Sequence, residues 1–244
     1  MNKEVMRYNS HPITPREKLW VENFHAHETP SSLNLADDYI NFLRPGETVL
    51  EVGCAYGRIA NLLADEKKVK VTGIDINEAE INYAKDNCAS KMVNFIGMNG
   101  TRLKCTNDSF NHVVMVGVLG AVEPEEREKL LEQAHRVLIS GGTVAIAEFK
   151  MNLGDDEQIE KYKRDKDITE EWGSRIVRKG GKILFIGRHF TKEELIELLS
   201  DAGFSSIQSR EQPIASVGVG DGEMKTRTQY TVWGIKPSNK EAKK

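Results

Sequence analysis

The chain of 244 residues carries 34 lysines and arginines against 37 aspartates and glutamates, a formal net charge of −3. This balance disfavours a nucleic-acid-binding protein, whose contact face is normally rich in basic residues, so we expect no nucleic-acid partner. The longest apolar run, residues 113–122, is about half the length that spans a membrane, and the N-terminus has no apolar leader. With three unclustered cysteines, these features predict a cytoplasmic protein with reduced thiols and no membrane association.

Alternating strand and helix patterns begin after Pro45-Gly46. Apolar residues at helical spacing separate the predicted strands; Asn77 and Glu80 predict a capping box at one helix, and Gly141-Gly142 predicts the end of another. The five predicted strands cover residues 48–52, 69–74, 93–96, 113–118 and 144–147. Strand and helix repeated in this way predict right-handed crossovers and a doubly wound, mostly parallel α/β sheet with helices on both faces.

The alternation lapses between residues 150 and 190. A charged stretch is followed there by two β-like runs around Gly180-Gly181, which predict a hairpin. The helical pattern returns at Thr191, which with Glu194 predicts a second capping box. The last strands are predicted at 204–207 and 228–235, on either side of a glycine-rich loop at 218–222.

These patterns predict one domain over residues 46–237. An N-terminal arm over residues 1–45 is expected to be irregular and to lead into one helix. We expect the arm and the insert at 150–190 to cover a site, and the polar tail at 238–244 to be disordered.

The most informative segment is VLEVGCAYGR, residues 49–58, where a strand turns into a helix. The small residues Gly53, Ala55 and Gly57 let the backbone approach a ligand closely. The helix N-terminus that follows offers unpaired N–H groups and a partial positive charge, which suit a carboxylate or a phosphate.

A second feature is Asp75, at the end of the next strand, where an acidic side chain can accept hydrogen bonds from a ribose diol. Nicotinamide enzymes share this pairing, and a nicotinamide-dependent oxidoreductase is one interpretation. However, Glu51 precedes the turn and the dinucleotide fingerprint G-x-G-x-x-G is incomplete. A carboxylate at that position disfavours a pyrophosphate and favours a ligand that carries an amino group.

The segment resembles motif I of the class I S-adenosylmethionine-dependent methyltransferases, (D/E)-x-G-x-G-x-G. VTGIDIN, with Asp75, is similar to the second motif of this family. Residues 95–149 are similar to its run from the third strand to the fifth, and residues 189–204 to its last helix. The resemblance implies a seven-stranded sheet of order 3-2-1-4-5-7-6, in which the last strand is antiparallel.

The resemblance also implies the cofactor S-adenosylmethionine and its product S-adenosylhomocysteine, with a small-molecule methyl acceptor. It assigns no catalytic residue. In-line attack on the sulfonium methyl depends mainly on alignment and desolvation, and needs a base only for a protonated nucleophile. The implied cofactor-binding residues are Glu51, Gly53, Cys54, Ala55, Gly57, Asp75, Ile76, Asn99, Gly100, Val116 and Gly117.

By resemblance, Glu51 orients the methionine amino group, the loop from Gly53 to Gly57 surrounds the methionine part, and Asp75 binds the ribose hydroxyls. Ile76, Asn99 and Gly100 contact the adenine. Val116 and Gly117 lie beside the sulfonium.

Four positions depart from the family pattern. Ala55 replaces the middle glycine of motif I, a mild change that still permits close approach. Asn99 stands where many relatives have Asp, and its amide oxygen can still accept from the adenine amino group. Asn111 replaces a frequent Asp and Gly120 a frequent His, which leaves the acceptor-side chemistry open.

Several other residues have both a functional and a structural interpretation. His25 and His27, at alternate positions, could ligate a metal, but no third ligand cluster accompanies them and we expect no metal. His189 could be a general base or simply precede a helix cap. Glu148, at a strand's carboxyl end, could bind the acceptor or be solvated there. Cys54 is expected to fit the turn rather than act as a nucleophile.

The basic run at residues 161–166 alternates with acidic residues and predicts a solvated helix face. Trp20, Phe24 and Trp172 could form an aromatic lid over the acceptor or pack against the sheet. A cofactor-binding protein without transferase activity remains the third interpretation beside the methyltransferase and the oxidoreductase. A tRNA or rRNA methyltransferase is a further alternative, which the near-balanced charge disfavours.

Overall fold

The computed structural model describes residues 13–28, 31–217 and 224–238. The loop predicted at 218–222, nearly all of the predicted tail and the first twelve residues of the arm lie outside this described part. The helices are α1 Pro15–Asn23, α2 Asp37–Ile40, α3 Arg58–Lys67, α4 Glu78–Asn87, α5 Pro124–Val137, α6 Asp156–Thr169 and α7 Lys192–Asp201. The strands are β1 Thr48–Val52, β2 Lys70–Asp75, β3 Val93–Gly97, β4 Phe110–Val116, β5 Leu138–Phe149, β6 Ser174–Lys179, β7 Lys182–Arg188, β8 Ser205–Val217 and β9 Met224–Ile235.

Seven strands form one sheet in the order β3-β2-β1-β4-β5-β9-β8. The first five pair in parallel, whereas β9 runs antiparallel to both β5 and β8. The predicted order 3-2-1-4-5-7-6 is therefore confirmed, with β8 and β9 as the sixth and seventh strands of that scheme. The strands β6 and β7 form a separate antiparallel hairpin, as the Gly180-Gly181 turn predicted.

Both faces of the large sheet are buried. On one face, Leu50, Met115 and Ile146 pack with α5 and α7, and on the other, Val49, Val114 and Ala145 pack with α2, α3 and α4. Strands covered on both sides explain the continuous apolar runs in the sequence. Among the described residues, no helix combines the length and the apolar character needed to cross a membrane.

Two local predictions are wrong. Helix α5 ends at Val137 and β5 begins at the next residue, so Gly141 and Gly142 lie inside the strand instead of terminating the helix. The Gly141 N–H donates to the carbonyl of Lys236, directly after β9. This hydrogen bond to the adjacent segment of the sheet outweighs the tendency of the two glycines to end a helix. At α4, the Asn77 side chain caps the helix, but Glu80 bonds His27 instead of completing a capping box.

The described part of the arm contains two helices, α1 and α2, where one was predicted. Helix α1 begins with a capping box formed by Thr14 and Glu17, and Pro15 occupies its first turn. This start signal is present in the sequence, but α1 has a weak apolar stripe and gave no periodic pattern. Its Trp20 indole N–H donates to the carbonyl of Ile186 in β7 at 3.1 Å, which fixes the arm on the hairpin of the insert.

Candidate functional site

The turn between β1 and α3 has an unusual backbone. Gly53 and Gly57 have φ angles of +73° and +86°. A Cβ atom on Gly53 would lie 2.5 Å from Val118 Cγ2, and one on Gly57 would collide with the Phe95 ring. Ala55 also has a positive φ, +45°, which costs an L-residue about 1–2 kcal/mol. The change to alanine at the middle position is therefore compatible with the loop, but it strains the backbone.

Asp75 holds this turn against the end of β2. One carboxylate oxygen accepts from the Ala55 N–H and the other from the Asn77 N–H, each at 2.8 Å. Burial raises the pKa of Asp75, although these backbone hydrogen bonds lower it in part. The side chain is thus fixed in orientation, and each oxygen keeps a lone pair for a ligand.

Glu51 lies in β1, directly before the turn, and is 2% exposed. Burial raises its pKa to about 8, against the opposing influence of the Arg58 charge. Its Oε2 atom is buried without a hydrogen-bond partner. Buried polar atoms are normally paired, so this carboxyl group fits a ligand that brings a donor.

A cavity of about 970 Å³ opens at the carboxyl ends of the parallel strands. Eight of the eleven residues predicted to bind the cofactor line it: Gly53, Ala55, Asp75, Ile76, Asn99, Gly100, Val116 and Gly117. Glu51, Cys54 and Gly57 stand behind this lining. Burial raises the pKa of the Cys54 thiol well above its ordinary value, which suits a packing role in the turn and not a nucleophile.

Three of the sequence departures now have local explanations. The Asn99 side-chain oxygen accepts from the backbone N–H and the hydroxyl of Thr101, both at 2.8 Å, and caps the 3₁₀ turn Gly100–Arg102. Asn111 bonds Thr48 at the opposite end of the strands, away from the cavity. A Cβ on Gly120 would lie 2.6 Å from the carbonyl oxygen of Arg188, so the insert occupies the space that a histidine there would need.

The second part of the cavity contains Glu148, at the end of β5. The side chain is 1% exposed, and its Oε1 accepts from the N–H groups of Leu119 at 2.7 Å and Gly120 at 3.3 Å. Burial raises its pKa to about 7, against these hydrogen bonds and the charges of Arg127 and Arg188. A carboxyl group that titrates near neutrality beside a ligand cavity can bind or release a proton during a reaction.

His189 also lines this part of the cavity. Its Nδ1 lies 2.8 Å from the hydroxyl of Tyr162 in α6. Burial and, secondarily, the charges of Arg175 and Arg227 lower its pKa to about 3. The imidazole is therefore neutral at physiological pH and too weak a base to compete with Glu148 for a proton. Tyr162, Arg175 and Arg227 were missed in the sequence because they lie in segments with little apolar pattern.

The arm and the insert meet over the cavity through an aromatic cluster. The centroids of the Trp20 and Phe185 rings are 4.2 Å apart, and those of the Phe24 and Phe185 rings are 4.8 Å apart; Phe185 lies in β7. All three residues line the cavity. Trp172 instead packs edge-on against Tyr162 and is outside the lining, so two of the three predicted aromatic residues face the site.

A buried charge cluster supports the same cover. Glu171 accepts hydrogen bonds from Arg16 of α1 and Arg127 of α5, and pairs with Arg188 of β7 at 3.1 Å. Burial raises the pKa of Glu171, but the hydrogen bond from Arg127 and the three positive charges outweigh it and lower the pKa. One carboxylate thereby connects the arm, the insert and the main domain.

The remaining candidates have structural partners. His27 Nδ1 lies 2.8 Å from Glu80 Oε1, and its ring stacks on Tyr83. His25 begins a turn, not a strand, and His27 lies within that turn; the described residues contain no group of three potential metal ligands. The basic run lies in α6, where Tyr162 and Asp165 are buried and Lys161 lines the cavity. Only part of that helix face is therefore solvated.

Comparison with known proteins agrees with this geometry. Residues 49–142 match a family described as a methyltransferase domain. The structure superposes on a crystal structure of an S-adenosylmethionine-dependent methyltransferase from Methanosarcina mazei with a TM-score of 0.74 and 29% identity, over 84% of this chain and 99% of that one.

Two curated relatives share the central part of the chain. The bovine eEF1A lysine and N-terminal methyltransferase is 34% identical over 105 residues, which are 42% of this chain and 15% of the relative. The cyclopropane-fatty-acyl-phospholipid synthase of Escherichia coli K12 is 29% identical over 123 residues, 49% of this chain and 31% of the relative. The chain thus spans less than a third of either relative's length.

Its sheet order, its loop geometry and these similarities identify residues 49–142 as a methyltransferase domain in a chain with the fold of the class I S-adenosylmethionine-dependent methyltransferases. The cofactor of this family is S-adenosylmethionine, and the sequence predictions of family, fold and cofactor are confirmed. These similarities support the methyltransferase interpretation over the nicotinamide-dependent oxidoreductase.

Proposed function

We propose that this protein transfers the methyl group of S-adenosylmethionine to a small-molecule acceptor enclosed between the sheet, the arm and the insert. The observation that carries the proposal is one continuous cavity, which runs from the glycine loop and Asp75 to Glu148 and the aromatic cluster of Trp20, Phe24 and Phe185. Its volume of about 970 Å³ is at the upper end for ligand pockets, enough for a cofactor and a second small ligand.

In this proposal the cofactor occupies the end of the cavity at β1, β2 and β4. The Asp75 carboxylate binds the ribose hydroxyls, and the buried Glu51 carboxyl accepts from the methionine ammonium, directly or through water. Ile76 and Gly100 contact the adenine. Asn99 presents its amide nitrogen, since its oxygen is bonded to Thr101. Gly117 and Val116, at the end of β4, lie beside the sulfonium.

The acceptor occupies the other end, under the cover formed by residues 13–28 and 150–190. The cofactor supplies an electrophilic methyl group, and the chain supplies alignment and a dry surrounding. Where the acceptor is a hydroxyl, the ionised Glu148 carboxylate accepts its proton as the methyl transfers. Where the acceptor is an ammonium group, the carboxylate takes the proton first, which frees the nitrogen lone pair that attacks the methyl group. A general base of this kind contributes about 10²–10⁴-fold to the rate.

The curated relatives are named for different acceptors, a protein in one case and a phospholipid acyl chain in the other. The near-balanced charge of the chain and the covered cavity favour a small molecule over a nucleic acid or a folded protein. The free thiols of Cys54, Cys88 and Cys105 suit the reducing cytoplasm, which we include in the proposal.

The first test is calorimetric binding of S-adenosylmethionine, S-adenosylhomocysteine and NAD to the wild type and to Asp75→Ala. We expect the two adenosyl ligands to bind and NAD not to bind, with at least a tenfold loss of affinity in the variant. Asp86→Ala, in the exposed part of α4, is the matched control and should bind as the wild type does.

An acceptor screen by mass spectrometry of methylated products then separates an enzyme from a protein that only binds the cofactor. With an acceptor in hand, Glu148→Gln should lower kcat about 10²–10⁴-fold and abolish the dependence of kcat on an ionisation near pH 7. Cofactor binding with no methylated product from any acceptor pool would contradict the proposed transfer.

A further inference from the structure

A buried glutamate in the first turn of α4, Glu80, lines the cavity. The residue is 2% exposed, and its Oε1 lies 2.8 Å from Nδ1 of His27 in the arm. Its Oε2 is also buried and has no hydrogen-bond partner among the residues that the structure describes. Because buried carboxylate oxygens are normally paired, Glu80 has one oxygen left for a donor that a ligand brings into the cavity.

Glu80 lies next to Asp75, a predicted cofactor-binding residue. Asn77 connects the two, because its N–H donates to Asp75 at 2.8 Å and its side-chain oxygen accepts from the Glu80 N–H at 3.4 Å. Their charges also interact: burial raises the pKa of Asp75, and Glu80 raises it further, against the backbone hydrogen bonds that lower it. Two carboxyl groups therefore line the same end of the cavity.

The cofactor brings several donor groups to this end. In the proposed function its ammonium group pairs with Glu51, and its adenine lies at Ile76 and Gly100. The donors that remain beside Asp75 are the two ribose hydroxyls, each of which can donate one hydrogen bond. Both Asp75 oxygens already accept from backbone N–H groups, whereas Glu80 Oε2 accepts from no described residue. A diol next to both side chains can give each carboxylate one charge-assisted hydrogen bond.

His27 holds the Glu80 carboxylate in position from the arm. An ionised carboxylate can only accept, so the hydrogen of this bond lies on His27 Nδ1. The imidazole stacks on Tyr83 of α4, with 4.3 Å between the ring centroids, and Tyr83 meets Tyr56 of the glycine turn edge-on at 6.5 Å. A carboxylate whose other oxygen is already bound loses less conformational freedom when a ligand binds.

We propose that Glu80 is a second ribose-binding residue: its Oε2 accepts from one hydroxyl, Asp75 accepts from the other, and His27 is the positioning residue. This inference deepens the proposed function, in which Asp75 alone binds the ribose, and it rests on that function for the location of the cofactor. The arm is then needed for tight binding of the cofactor, and not only for covering the acceptor.

The test compares S-adenosylhomocysteine with its 2′-deoxy and 3′-deoxy analogues, each of which lacks one ribose hydroxyl. Binding to the full chain is measured by calorimetry for the wild type, Glu80→Met and Asp75→Ala. We expect the wild type to bind each analogue about tenfold more weakly or worse, because one carboxylate then stays buried without its partner. This penalty should fall below about threefold for one analogue in Glu80→Met and for the other analogue in Asp75→Ala.

Methionine fills the volume of the glutamate side chain but accepts no strong hydrogen bond. Glu80→Met should therefore bind S-adenosylhomocysteine about tenfold more weakly than the wild type does. Asp86→Met is the matched control, since it removes a negative charge from an exposed position of the same helix, and it should keep the wild-type affinity and both penalties. Comparing the penalties between proteins cancels any effect that the missing hydroxyl has on the free ligand.

His27→Phe tests the positioning role, because the new ring can still stack on Tyr83 while the hydrogen bond to Glu80 is lost. We expect S-adenosylhomocysteine to bind about threefold to tenfold more weakly, with a smaller loss for the analogue that lacks the hydroxyl bound by Glu80. His27→Asn, whose side-chain N–H can replace Nδ1–H, should restore part of the affinity. A residue that only stabilised the arm would affect all three ligands equally.

Hydroxyl penalties that are the same in Glu80→Met as in the wild type, or equal losses for all three ligands in His27→Phe, would overturn the inference. If Glu80→Met fails to fold, as judged by its circular-dichroism melting curve, the His27 variants still decide the question. Failure of S-adenosylhomocysteine to bind to the wild type would instead overturn the proposed function.

Discussion

Cofactor binding should release a proton from Glu51. In the free protein burial raises the pKa of Glu51 to about 8, and its Oε2 has no partner. A group of pKa about 8 is ionised in only about one molecule in eleven at pH 7. The ammonium of S-adenosylhomocysteine pairs with the ionised form, so binding at pH 7 should release about 0.9 proton per site.

The energetic consequence is a pH-dependent affinity. Ionising Glu51 at pH 7 costs about 1.4 kcal/mol, the equivalent of one pKa unit. Below the pKa each pH unit changes the ionised fraction about tenfold, so the affinity for S-adenosylhomocysteine should rise about tenfold from pH 6 to pH 7. The ligand's own ammonium stays protonated over this range.

Calorimetry in two buffers with different ionisation enthalpies counts the released protons directly. Glu148 titrates near pH 7 as well, so the measurement is best made in a Glu148→Gln background. In that background, adding Glu51→Gln should remove both the proton release and the pH dependence. An unchanged proton count in the double variant, or a pH-independent affinity with Glu51 present, would refute the reasoning.

Three further results are expected. Ala55→Gly relieves the strain of the positive φ and should raise the free energy of unfolding by about 0.5–1 kcal/mol. Ala84→Gly, inside α4, is the control and should lower the free energy of unfolding by about 1 kcal/mol or more. Denaturant titration measures both changes, and destabilisation by Ala55→Gly would contradict the proposed strain at Ala55. Because the pKa values of Glu51 and Glu148 are raised in the folded state, the free energy of unfolding of the cofactor-free protein should fall as pH rises from about 5 to 8. Replacing both residues with Gln should flatten this pH profile. A free energy of unfolding that rises with pH over this range would contradict the raised pKa values. Glu171→Gln removes the carboxylate that pairs three arginines and should cost about 3 kcal/mol; a calorimetric melting temperature equal to that of the wild type would exclude this role.

The sequence predicted the sheet and the cofactor end well because both depend on local, repetitive signals. Buried parallel strands require continuous apolar runs, and the turn from Gly53 to Gly57 requires small residues at fixed spacing. The prediction that Gly141-Gly142 ends a helix was wrong because these residues pair with the segment at the end of β9, almost a hundred residues later in the chain. This long-range pairing outweighs the local preference of glycine for a helix end.

The acceptor end was less predictable because it is built from long-range side-chain contacts. Tyr162 and His189 meet through one hydrogen bond across 27 residues, and Arg16 reaches Glu171 across 155. From the sequence alone, charged residues in such segments are predicted to be exposed to solvent, because their mutual contacts form only in the folded structure. The signal that could have been used is the capping sequence from Thr14 to Glu17, which marks α1 as an ordered helix.

The position of Glu171 has a dynamic consequence. Because one carboxylate pairs with Arg16, Arg127 and Arg188, the arm cannot leave the insert without changing the electrostatic environment of all three. Segments coupled in this way open as one cooperative unit. Amide hydrogen exchange in α1 and β7 should therefore share a single opening free energy, and admission of the acceptor and release of the methylated product should occur through the same concerted opening.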